Sequence, residues 1–368
     1  MQIEAAVVSE KSAPFVIGTL ELSEPRDDEV IVRVVASGMC QTDLHGRDQY
    51  FPVTRFPAVF GHEGAGVVHA VGAAVSDFAP GDHVVMSYPW CGTCENCRSR
   101  RMNYCINGRG LKMGGTRADG STLLARDGAP VYGAYFQQSS FGTFALSQAR
   151  WTVKVRNDAP LEYLGPLACS GQTGAGAVLN ALTPSPGESI AIFGVGAVGL
   201  SALMAAKIAG CDPIVAVDVH HHRLALAREL GASHTINHKT AADVVGDIRK
   251  IGGGGVRYAI EASAVPQVLR EAIEVLLPAG TCVLLGSARR GTDASFEMPY
   301  LQQGRVVRGV VQGDSVPGEF IPKLVDYIMD GKFPIQKIVT FYDFADINRA
   351  AADSEAGTAI KPVLRMPQ

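Results

Sequence analysis

The sequence predicts an α/β protein in which a doubly wound domain is inserted into a β-rich domain formed by both ends of the chain. Three observations support this prediction. The chain has 368 residues, more than the ~100–200 typical of one domain. Short β-branched runs separated by Gly, Pro and Asp occupy roughly the first 150 residues. Strands then alternate with helices from about residue 189, which is typical of a parallel sheet.

Composition and charge exclude several functional classes. Hydrophobic residues make up 47% and charged residues 19%, which is typical of a globular chain and unlike disordered, collagenous or coiled-coil sequences. Lys and Arg number 33 against 36 Asp and Glu, so no basic excess favours nucleic acid or an anionic membrane. The first residues lack a signal-peptide pattern, and Lys207 and glycines interrupt the longest apolar window, residues 190–211. We therefore expect a soluble, cytoplasmic protein without a membrane or nucleic-acid partner.

The order of elements sets the expected domain boundaries. Strands are predicted at residues 29–36, 64–71, 189–193, 213–218, 257–261, 281–286 and 363–366. Helices are predicted at residues 197–209, 222–230, 266–276 and 320–329. The β-rich domain is expected to comprise residues 1–170 and 313–368, with a separate lobe at 88–110, and the doubly wound domain residues 171–312.

A glycine-rich turn predicts a dinucleotide site. Gly194, Gly196 and Gly199 form a G-x-G-x-x-G pattern after a predicted strand and at the start of a predicted helix. Asp218 ends the next strand, nineteen positions after Gly199, where an acid binds the adenine ribose and disfavours a 2′-phosphate. We therefore expect NAD, not NADP. The alternative is a generic turn with a solvated Asp. The adjacent histidines 220–222 are read as a solvated helix start, or as a source of NADP tolerance at low pH.

The eight cysteines divide into a cluster and scattered positions. Cys91, Cys94, Cys97 and Cys105 give C-x2-C-x2-C-x7-C, a spacing that fits a closed, tetrahedral structural zinc site. An iron–sulfur cluster is the alternative, but its usual spacing brings the fourth cysteine sooner and places Pro after it. Unligated cysteines are the remaining possibility. Cys40 and Cys169 stand alone, as does His62. Each is individually an ordinary core residue, and spacing does not connect them.

Taken together, these motifs resemble the zinc-dependent medium-chain alcohol dehydrogenases along essentially the whole chain. The resemblance implies a GroES-like catalytic domain and a Rossmann domain, with two zinc ions per subunit. It implies that Cys40, His62 and Cys169 hold the catalytic zinc, that Glu63 ligates it transiently, and that Asp43 orients His62. The four-cysteine lobe corresponds to the structural zinc of the family.

The resemblance also assigns catalytic and cofactor residues. Thr42 and His45 match a relay that passes the alcohol proton through the nicotinamide ribose to the surface. Further cofactor positions are Thr173 near the carboxamide, Val198 behind the nicotinamide, Arg223, and Lys361 near the pyrophosphate. Gln41 replaces the Arg or His that many relatives carry beside the first zinc cysteine. That change is expected to loosen cofactor binding. Cys211 and Cys282 match no family position and are expected in the core.

Within the family, the chain most resembles bacterial aryl (benzyl-type) alcohol dehydrogenases. The segments that carry this likeness are residues 46–49, 138–145 and 165–176. The expected reaction is reversible oxidation of a primary aromatic alcohol with NAD by a homo-oligomer, a dimer or tetramer. Alternative substrates are an allylic terpene alcohol of the geraniol type and S-hydroxymethylglutathione. Alternative classes are a zinc-free reductase and a non-enzymatic NAD-binding structural protein. Candidate walls of the substrate pocket, or else core residues, are Phe51, Tyr88, Trp90 and Tyr135.

Overall fold

The computed structural model describes residues 1–50 and 54–367. The chain divides into two compact units. Unit 1 comprises Met1–Cys169, Val316–Met329 and Ile335–Gln368, and unit 2 comprises Ser170–Ser315 and Asp330–Pro334. Both ends of the chain therefore belong to the same unit.

The strands, numbered in chain order, are β1 Gln2–Val8, β2 Val16–Leu22, β3 Glu29–Gly38, β4 Ala58–Val59, β5 Glu63–Val71, β6 His83–Met86, β7 Leu124–Arg126, β8 Ala129–Val131, β9 Phe144–Gln148, β10 Thr152–Lys154, β11 Ile190–Phe193, β12 Ile214–Asp218, β13 His234–Asn237, β14 Val256–Glu261, β15 Leu276–Leu284, β16 Val306–Gly309, β17 Val339–Asp343 and β18 Lys361–Arg365.

The α-helices are α1 Gln41–Arg47, α2 Glu95–Arg98, α3 Gly108–Met113, α4 Ser170–Gly176, α5 Ala197–Ala209, α6 His221–Leu230, α7 Val244–Ile251, α8 Pro266–Glu274, α9 Met298–Gln302, α10 Pro317–Met329 and α11 Ile347–Ala356. None of the helices within residues 1–50 and 54–367 has the length and apolar composition that crossing a bilayer requires.

Unit 1 contains two sheets. One has the order β4-β1-β2-β7-β8, and the other has the order β10-β6-β5-β3-β18-β17 with β9 also paired to β3. Strand β18 runs antiparallel to β3, with Val363 opposite Gly38. The end of the chain thereby lies beside the strand that leads into Cys40. Apolar faces of these strands form a core that includes Val32, Leu44 and Phe60.

Unit 2 is built on a six-stranded parallel sheet of order β13-β12-β11-β14-β15-β16. Numbered within the unit, this order is 3-2-1-4-5-6, the dinucleotide-binding arrangement, in which ligands bind at the carboxyl ends of the strands where the order reverses. Strands β11 and β12 are fully buried, as expected for a sheet covered on both faces. The predicted fold class is confirmed.

Most predicted elements of unit 2 are present, with local corrections. The predicted helix 197–209 coincides with α5. The predicted helix 266–276 is too long, because α8 ends at Glu274 and Leu276 already begins β15. Strands β13 and β16 and helix α7 were not predicted. The two strands lie at the edges of the sheet and are short, so their sequences lack the apolar run of a central strand.

Helix α4 approaches α5 closely because residue 174 is glycine. A Cβ added to Gly174 would lie 2.0 Å from the carbonyl oxygen of Val198 and 2.8 Å from the amide nitrogen of Ala202. Both are backbone atoms, which cannot move aside as a flexible side chain would. The start of α5, which follows the glycine-rich turn, is therefore held at backbone distance from α4.

We predict that Gly174→Ala lowers the free energy of unfolding by about 1–3 kcal/mol, the usual cost of overpacking. Gly318→Ala is the control. Gly318 lies in α10, and a Cβ added there would have no described atom within 4 Å. The control should be neutral or stabilising by up to about 1 kcal/mol because alanine favours helix. Urea unfolding measures both values. Equal effects of the two substitutions would contradict the close approach.

Candidate active site and metal centres

Four residues from three parts of unit 1 converge on one point. Cys40 is the N-cap of α1, His62 directly precedes β5, Glu63 begins β5, and Cys169 is the last residue of the unit's first segment. Each residue offers one ligand atom, and these four atoms all lie within 4.8 Å of one another: the two Sγ atoms, a His62 ring nitrogen and a Glu63 carboxylate oxygen. The structure thus groups residues that spacing could not connect.

The carboxylate of Asp43 holds two of these ligands in place. Its Oδ2 accepts a hydrogen bond from the Cys40 amide at 2.9 Å, which caps α1. Its Oδ1 accepts one from the Gly61 amide at 3.1 Å and lies 2.7 Å from Nδ1 of His62. The opposite ring nitrogen, Nε2, is buried and makes no hydrogen bond within the described part of the chain. A carboxylate on one imidazole nitrogen with the other left open is typical of a metal-ligating histidine.

The donor atoms of this site fit a bound metal cation. The pKa of Cys40 is lowered by its hydrogen bond with Cys169, by Coulombic attraction to Lys361 and by contacts with His62, although burial opposes this. The pKa of Cys169 is raised by the same hydrogen bond and by burial. Burial disfavours the charged imidazole, yet the Asp43 carboxylate raises the pKa of His62 to about 10. Two thiolates and one imidazole are the ligands of an open catalytic zinc site. The residues therefore fit this metal, with Cys40, His62 and Cys169 as its ligands.

Glu63 forms an ion pair with Lys361, a contact that the sequence analysis did not predict. The Lys361 ammonium donates to the two carboxylate oxygens of Glu63 at 3.0 and 2.9 Å and to the carbonyl of Met39 at 3.1 Å. Lys361 is only 2% exposed. Burial acts to lower its pKa, but attraction to Glu63 and Cys40, together with the hydrogen bond to Glu63, outweighs burial and raises it. Lys361 reaches Glu63 because β18 pairs with β3 next to Met39. Its predicted place near the cofactor pyrophosphate stays a prediction.

Two glycines that the sequence analysis did not single out make room for Glu63. A Cβ on Gly38 would lie 2.1 Å from Oε2 of Glu63, and a Cβ on Gly165 would lie 2.3 Å from its carbonyl oxygen. Gly165 lies within the 165–176 segment that carries the family likeness, so a signal for it was present. Gly38 had no such signal.

Helix α1 presents Thr42 and His45 on one side, since residues three apart share a helix face. The Thr42 hydroxyl lies 3.6 Å from Sγ of Cys40, so it is next to the candidate metal site. His45 is half-buried, and its ring stacks on that of Tyr50 with centroids 4.0 Å apart. This arrangement places the Thr42 hydroxyl beside the candidate metal site and the His45 imidazole one helical turn further along α1.

Aromatic side chains line His62. The Phe136 ring stacks on the imidazole with centroids 4.4 Å apart, and the Tyr135 ring meets it edge-on at 6.0 Å. Tyr135 was a predicted candidate wall, but Phe136 was missed. Tyr88 is buried and contacts Trp90, which is partly buried against the same core. The remaining candidate, Phe51, lies outside the described residues.

The four-cysteine lobe forms a second candidate metal centre. Its sulfur atoms all lie within 4.8 Å of one another, with Cys94–Cys97 at 3.4 Å and Cys94–Cys105 at 4.0 Å. Sulfurs ligating one zinc at ~2.3 Å in a tetrahedron are about 3.8 Å apart, so the group has the right size. Burial would raise the pKa of Cys91, but hydrogen bonds from Thr93 and Cys94 lower it to about 5. Burial and the neighbouring thiols raise that of Cys97 to about 12. A bound divalent cation would stabilise all four sulfurs as thiolates, because cysteine binds a metal in its deprotonated form.

Unit 2 carries the glycine-rich turn. Gly194 has φ +86°, a left-handed conformation that favours glycine. A Cβ on Gly199 would lie 1.9 Å from the Gly194 carbonyl oxygen, so α5 packs directly on the turn. By contrast, a Cβ on Gly196 would meet only an Arg223 nitrogen, 3.9 Å away. No atom of residues 1–50 or 54–367 requires glycine at 196, whereas a pyrophosphate over the turn would.

Asp218 closes the turn from the adjacent strand. Its Oδ2 accepts the Val195 amide at 2.9 Å, and its Oδ1 accepts the amides of Val219 and His220 at 2.7 and 2.9 Å. Arg223 Nη1 lies 4.0 Å from Oδ2. These residues line a cavity of about 410 Å³ at the carboxyl end of β11 and β12. Val198 is half-buried in α5, and the half-buried Thr173 of α4 donates to Oε1 of Gln312 at 3.4 Å.

Comparison with known proteins assigns the family. Residues 26–155 match the alcohol dehydrogenase GroES-like domain, and residues 197–328 match the zinc-binding dehydrogenase domain. The chain is 42% identical to geraniol dehydrogenase of Castellaniella defragrans over 98% of its own length and 97% of that protein. It belongs to the zinc-dependent alcohol dehydrogenase family. As a member of that family it is an oxidoreductase with zinc and NAD(P)-binding machinery, so the zinc-free reductase and the structural NAD-binding protein are no longer alternatives.

Two solved alcohol dehydrogenase structures are similar over the entire length of both chains. The zinc-binding domain protein from Burkholderia ambifaria has a TM-score of 0.98 at 50% identity. Benzyl alcohol dehydrogenase from Acinetobacter calcoaceticus has a TM-score of 0.96 at 44% identity. Both similarities agree with the GroES-like and Rossmann architecture expected from the sequence.

We predict two zinc ions per alcohol dehydrogenase subunit, with separable roles. Cys169→Ala should remove one zinc and the activity while the thermal midpoint stays near that of the wild type. Cys97→Ala should remove the other zinc and lower the midpoint, since a structural zinc contributes folding free energy. Elemental analysis and thermal unfolding of both variants check this. Purified wild-type protein that holds one zinc, or iron, would contradict it.

Proposed function

We propose that this alcohol dehydrogenase oxidises a primary aromatic alcohol of the benzyl type to its aldehyde, reversibly, with NAD as the hydride acceptor. The observation that carries the proposal is the pair of aromatic rings on His62, Phe136 at 4.4 Å and Tyr135 at 6.0 Å. Such rings favour a flat aromatic substrate through offset or edge-to-face contact. The full-length similarity to a benzyl alcohol dehydrogenase supports the same substrate class.

The second candidate is an allylic terpene alcohol of the geraniol type, favoured by the 42% identity to a geraniol dehydrogenase. Both substrates place an unsaturated carbon beside the carbinol, and both suit an apolar, aromatic wall. S-hydroxymethylglutathione is a third candidate from the sequence alone. It carries two carboxylates and an ammonium, which apolar rings such as Phe136 do not bind.

The chain's own residues have defined tasks in this reaction. A bound zinc would act as a Lewis acid that makes the alcohol hydroxyl more acidic. Asp43 fixes the tautomer and direction of His62, and Lys361 balances the charge of Glu63. The Thr42 hydroxyl, beside Cys40, accepts the proton of the substrate hydroxyl, and His45 receives it one helical turn away. The buried aromatic rings exclude water from the reacting carbon.

The assignment of NAD over NADP, the cytoplasmic location and the homo-oligomer are parts of the same proposal. All eight cysteines are free, which suits a reducing compartment. Apolar side chains are exposed on and near the edge strand β16, including Met298 at 75%, Val306 at 48% and Val311 at 40%. An edge strand with exposed apolar neighbours supports association with a second copy, as a dimer or within a tetramer.

The substrate is tested by measuring kcat/KM for NAD reduction with benzyl alcohol, geraniol, ethanol and S-hydroxymethylglutathione side by side. Benzyl alcohol should give the highest value, and ethanol should be poor because it cannot fill an aromatic pocket. A higher value for geraniol would replace the first candidate by the second. A higher value for S-hydroxymethylglutathione would contradict both.

We predict that NAD is preferred over NADP and that Asp218→Gly narrows the preference. The 2′-phosphate of NADP would be repelled by the Asp218 carboxylate. Three backbone amides donate hydrogen bonds to this carboxylate and fix its orientation. The variant should therefore bind NAD more weakly and NADP more tightly. The ratio of the two kcat/KM values measures the effect. A wild type that uses both cofactors equally would contradict the role of Asp218.

We predict that His45→Gln slows the proton-coupled step by about 10²-fold, within the range of general-base catalysis, and leaves zinc content and NAD affinity unchanged. An unperturbed imidazole titrates near pH ~6.5 and so accepts protons around neutrality. The loss should be largest below about pH 7 and shrink at higher pH, where hydroxide replaces the missing base. A pH–rate profile that overlays the wild type from about pH 5.5 to 9 would show that His45 is a solvated residue only.

A further inference from the structure

The hydroxyl of Tyr135 contacts the catalytic helix rather than a substrate. Tyr135 is 1% exposed, and its ring packs edge-on against Phe60 with centroids 5.0 Å apart. Its Oη donates to the carbonyl oxygen of Thr42 at 2.7 Å. An apolar pocket wall would be served equally well by phenylalanine. The phenol oxygen therefore needs a separate explanation.

The surface of α1 is shaped to receive this hydroxyl. A Cβ on Gly46, on the next turn from Thr42, would lie 3.0 Å from Oη of Tyr135 and 2.8 Å from the Phe60 ring. Glycine at 46 thus lets α1 approach the phenol closely enough for the hydrogen bond. On the other side, α1 is fixed by Asp43, which bonds the Cys40 amide. Thr42 lies between these two attachments.

Tyr135 is itself held firmly. Its amide donates to Oγ of Ser139 at 2.9 Å, and that hydroxyl donates to the Val59 carbonyl at 2.7 Å. The side chain of Gln138 accepts the Gly64 amide and donates to the Met86 carbonyl, both at 3.1 Å. Phe136 adopts φ +49°, a left-handed conformation that costs free energy and that its surroundings must maintain. The phenol is therefore a rigid support.

We propose that Tyr135 is a positioning residue of the alcohol reaction: through the Thr42 carbonyl it fixes the first turn of α1, and with it the direction of the Thr42 hydroxyl. This inference rests on the proposed function, in which that hydroxyl accepts the substrate proton. Proton transfer requires a short, aligned hydrogen bond, so a small displacement of Thr42 slows the step without affecting the metal ligands.

Tyr135→Phe tests the inference because it removes one oxygen atom and keeps the ring against His62. The kcat should fall roughly tenfold, equivalent to about 1.4 kcal/mol, while KM and zinc content stay unchanged. The solvent deuterium isotope effect on kcat should rise, since proton transfer becomes slower. Tyr342→Phe is the matched control in the same unit: its hydroxyl donates to Asp353 at 2.7 Å, and it lies in β17. The control should lose similar stability and keep the wild-type kcat and isotope effect.

A double-mutant cycle separates positioning from general stability. In a Thr42→Val background, which lacks the relay hydroxyl, Tyr135→Phe should change kcat less than twofold, because its effect acts through that hydroxyl. An equal loss of kcat in both backgrounds would overturn this inference and leave the proposed function intact. A Tyr135→Phe enzyme with the kcat of an active wild type would do the same. A wild type that oxidises none of the alcohols would overturn the proposed function and the inference with it.

Discussion

The geometry of the catalytic half depends on one buried carboxylate, that of Asp43. It accepts hydrogen bonds from the Cys40 and Gly61 amides and pairs with Nδ1 of His62. The helix cap, the loop before β5 and one metal ligand are thereby tied to a single group with no exposed surface. Hydrogen bonds to a charged group are stronger than neutral ones, and removing one partner leaves the others unsatisfied. A small displacement of this carboxylate would therefore move Cys40 and His62 together.

The second constraint is charge. The half-buried thiols of Cys40 and Cys169 lie near the buried carboxylates of Glu63 and Asp43, and the buried ammonium of Lys361 pairs with Glu63. Buried ions are tolerated where they are paired and hydrogen-bonded, and Lys361 satisfies this with two carboxylate contacts and one carbonyl. The pairing fixes the direction of the Glu63 carboxylate beside the metal ligands, and the Lys361 charge opposes burial, which raises the pKa of Glu63. A zinc ion then meets two thiolates and an imidazole, with the acid held close by.

Sequence reasoning succeeded where its signals are local. Helix α5 and the glycines at its start were located because a strand, a turn and a helix are contiguous there. The cysteine lobe was similarly compact. Cys40, His62 and Cys169 could be grouped only through the family resemblance, because their convergence follows from strand pairing. The Glu63–Lys361 pair was missed for the same reason: it depends on the register of β18 against β3. Phe136 was missed because a left-handed backbone in the 135–139 turn has no periodic signature.

The two metal centres differ in how far apart their ligands lie along the chain. The lobe needs only residues 91–105, so its metal site closes over a short loop at little entropic cost. The catalytic site needs Cys40 and Cys169, and the ion pair that stabilises Glu63 spans 298 residues. On a ribosome, the lobe can therefore form while most of the protein is still unmade, whereas the ion pair of Glu63 with Lys361 forms only after β18 has emerged. The final strand of the chain is thus the last part of the catalytic centre to be synthesised, and loss of the carboxyl terminus would remove activity before it removed the fold of the lobe.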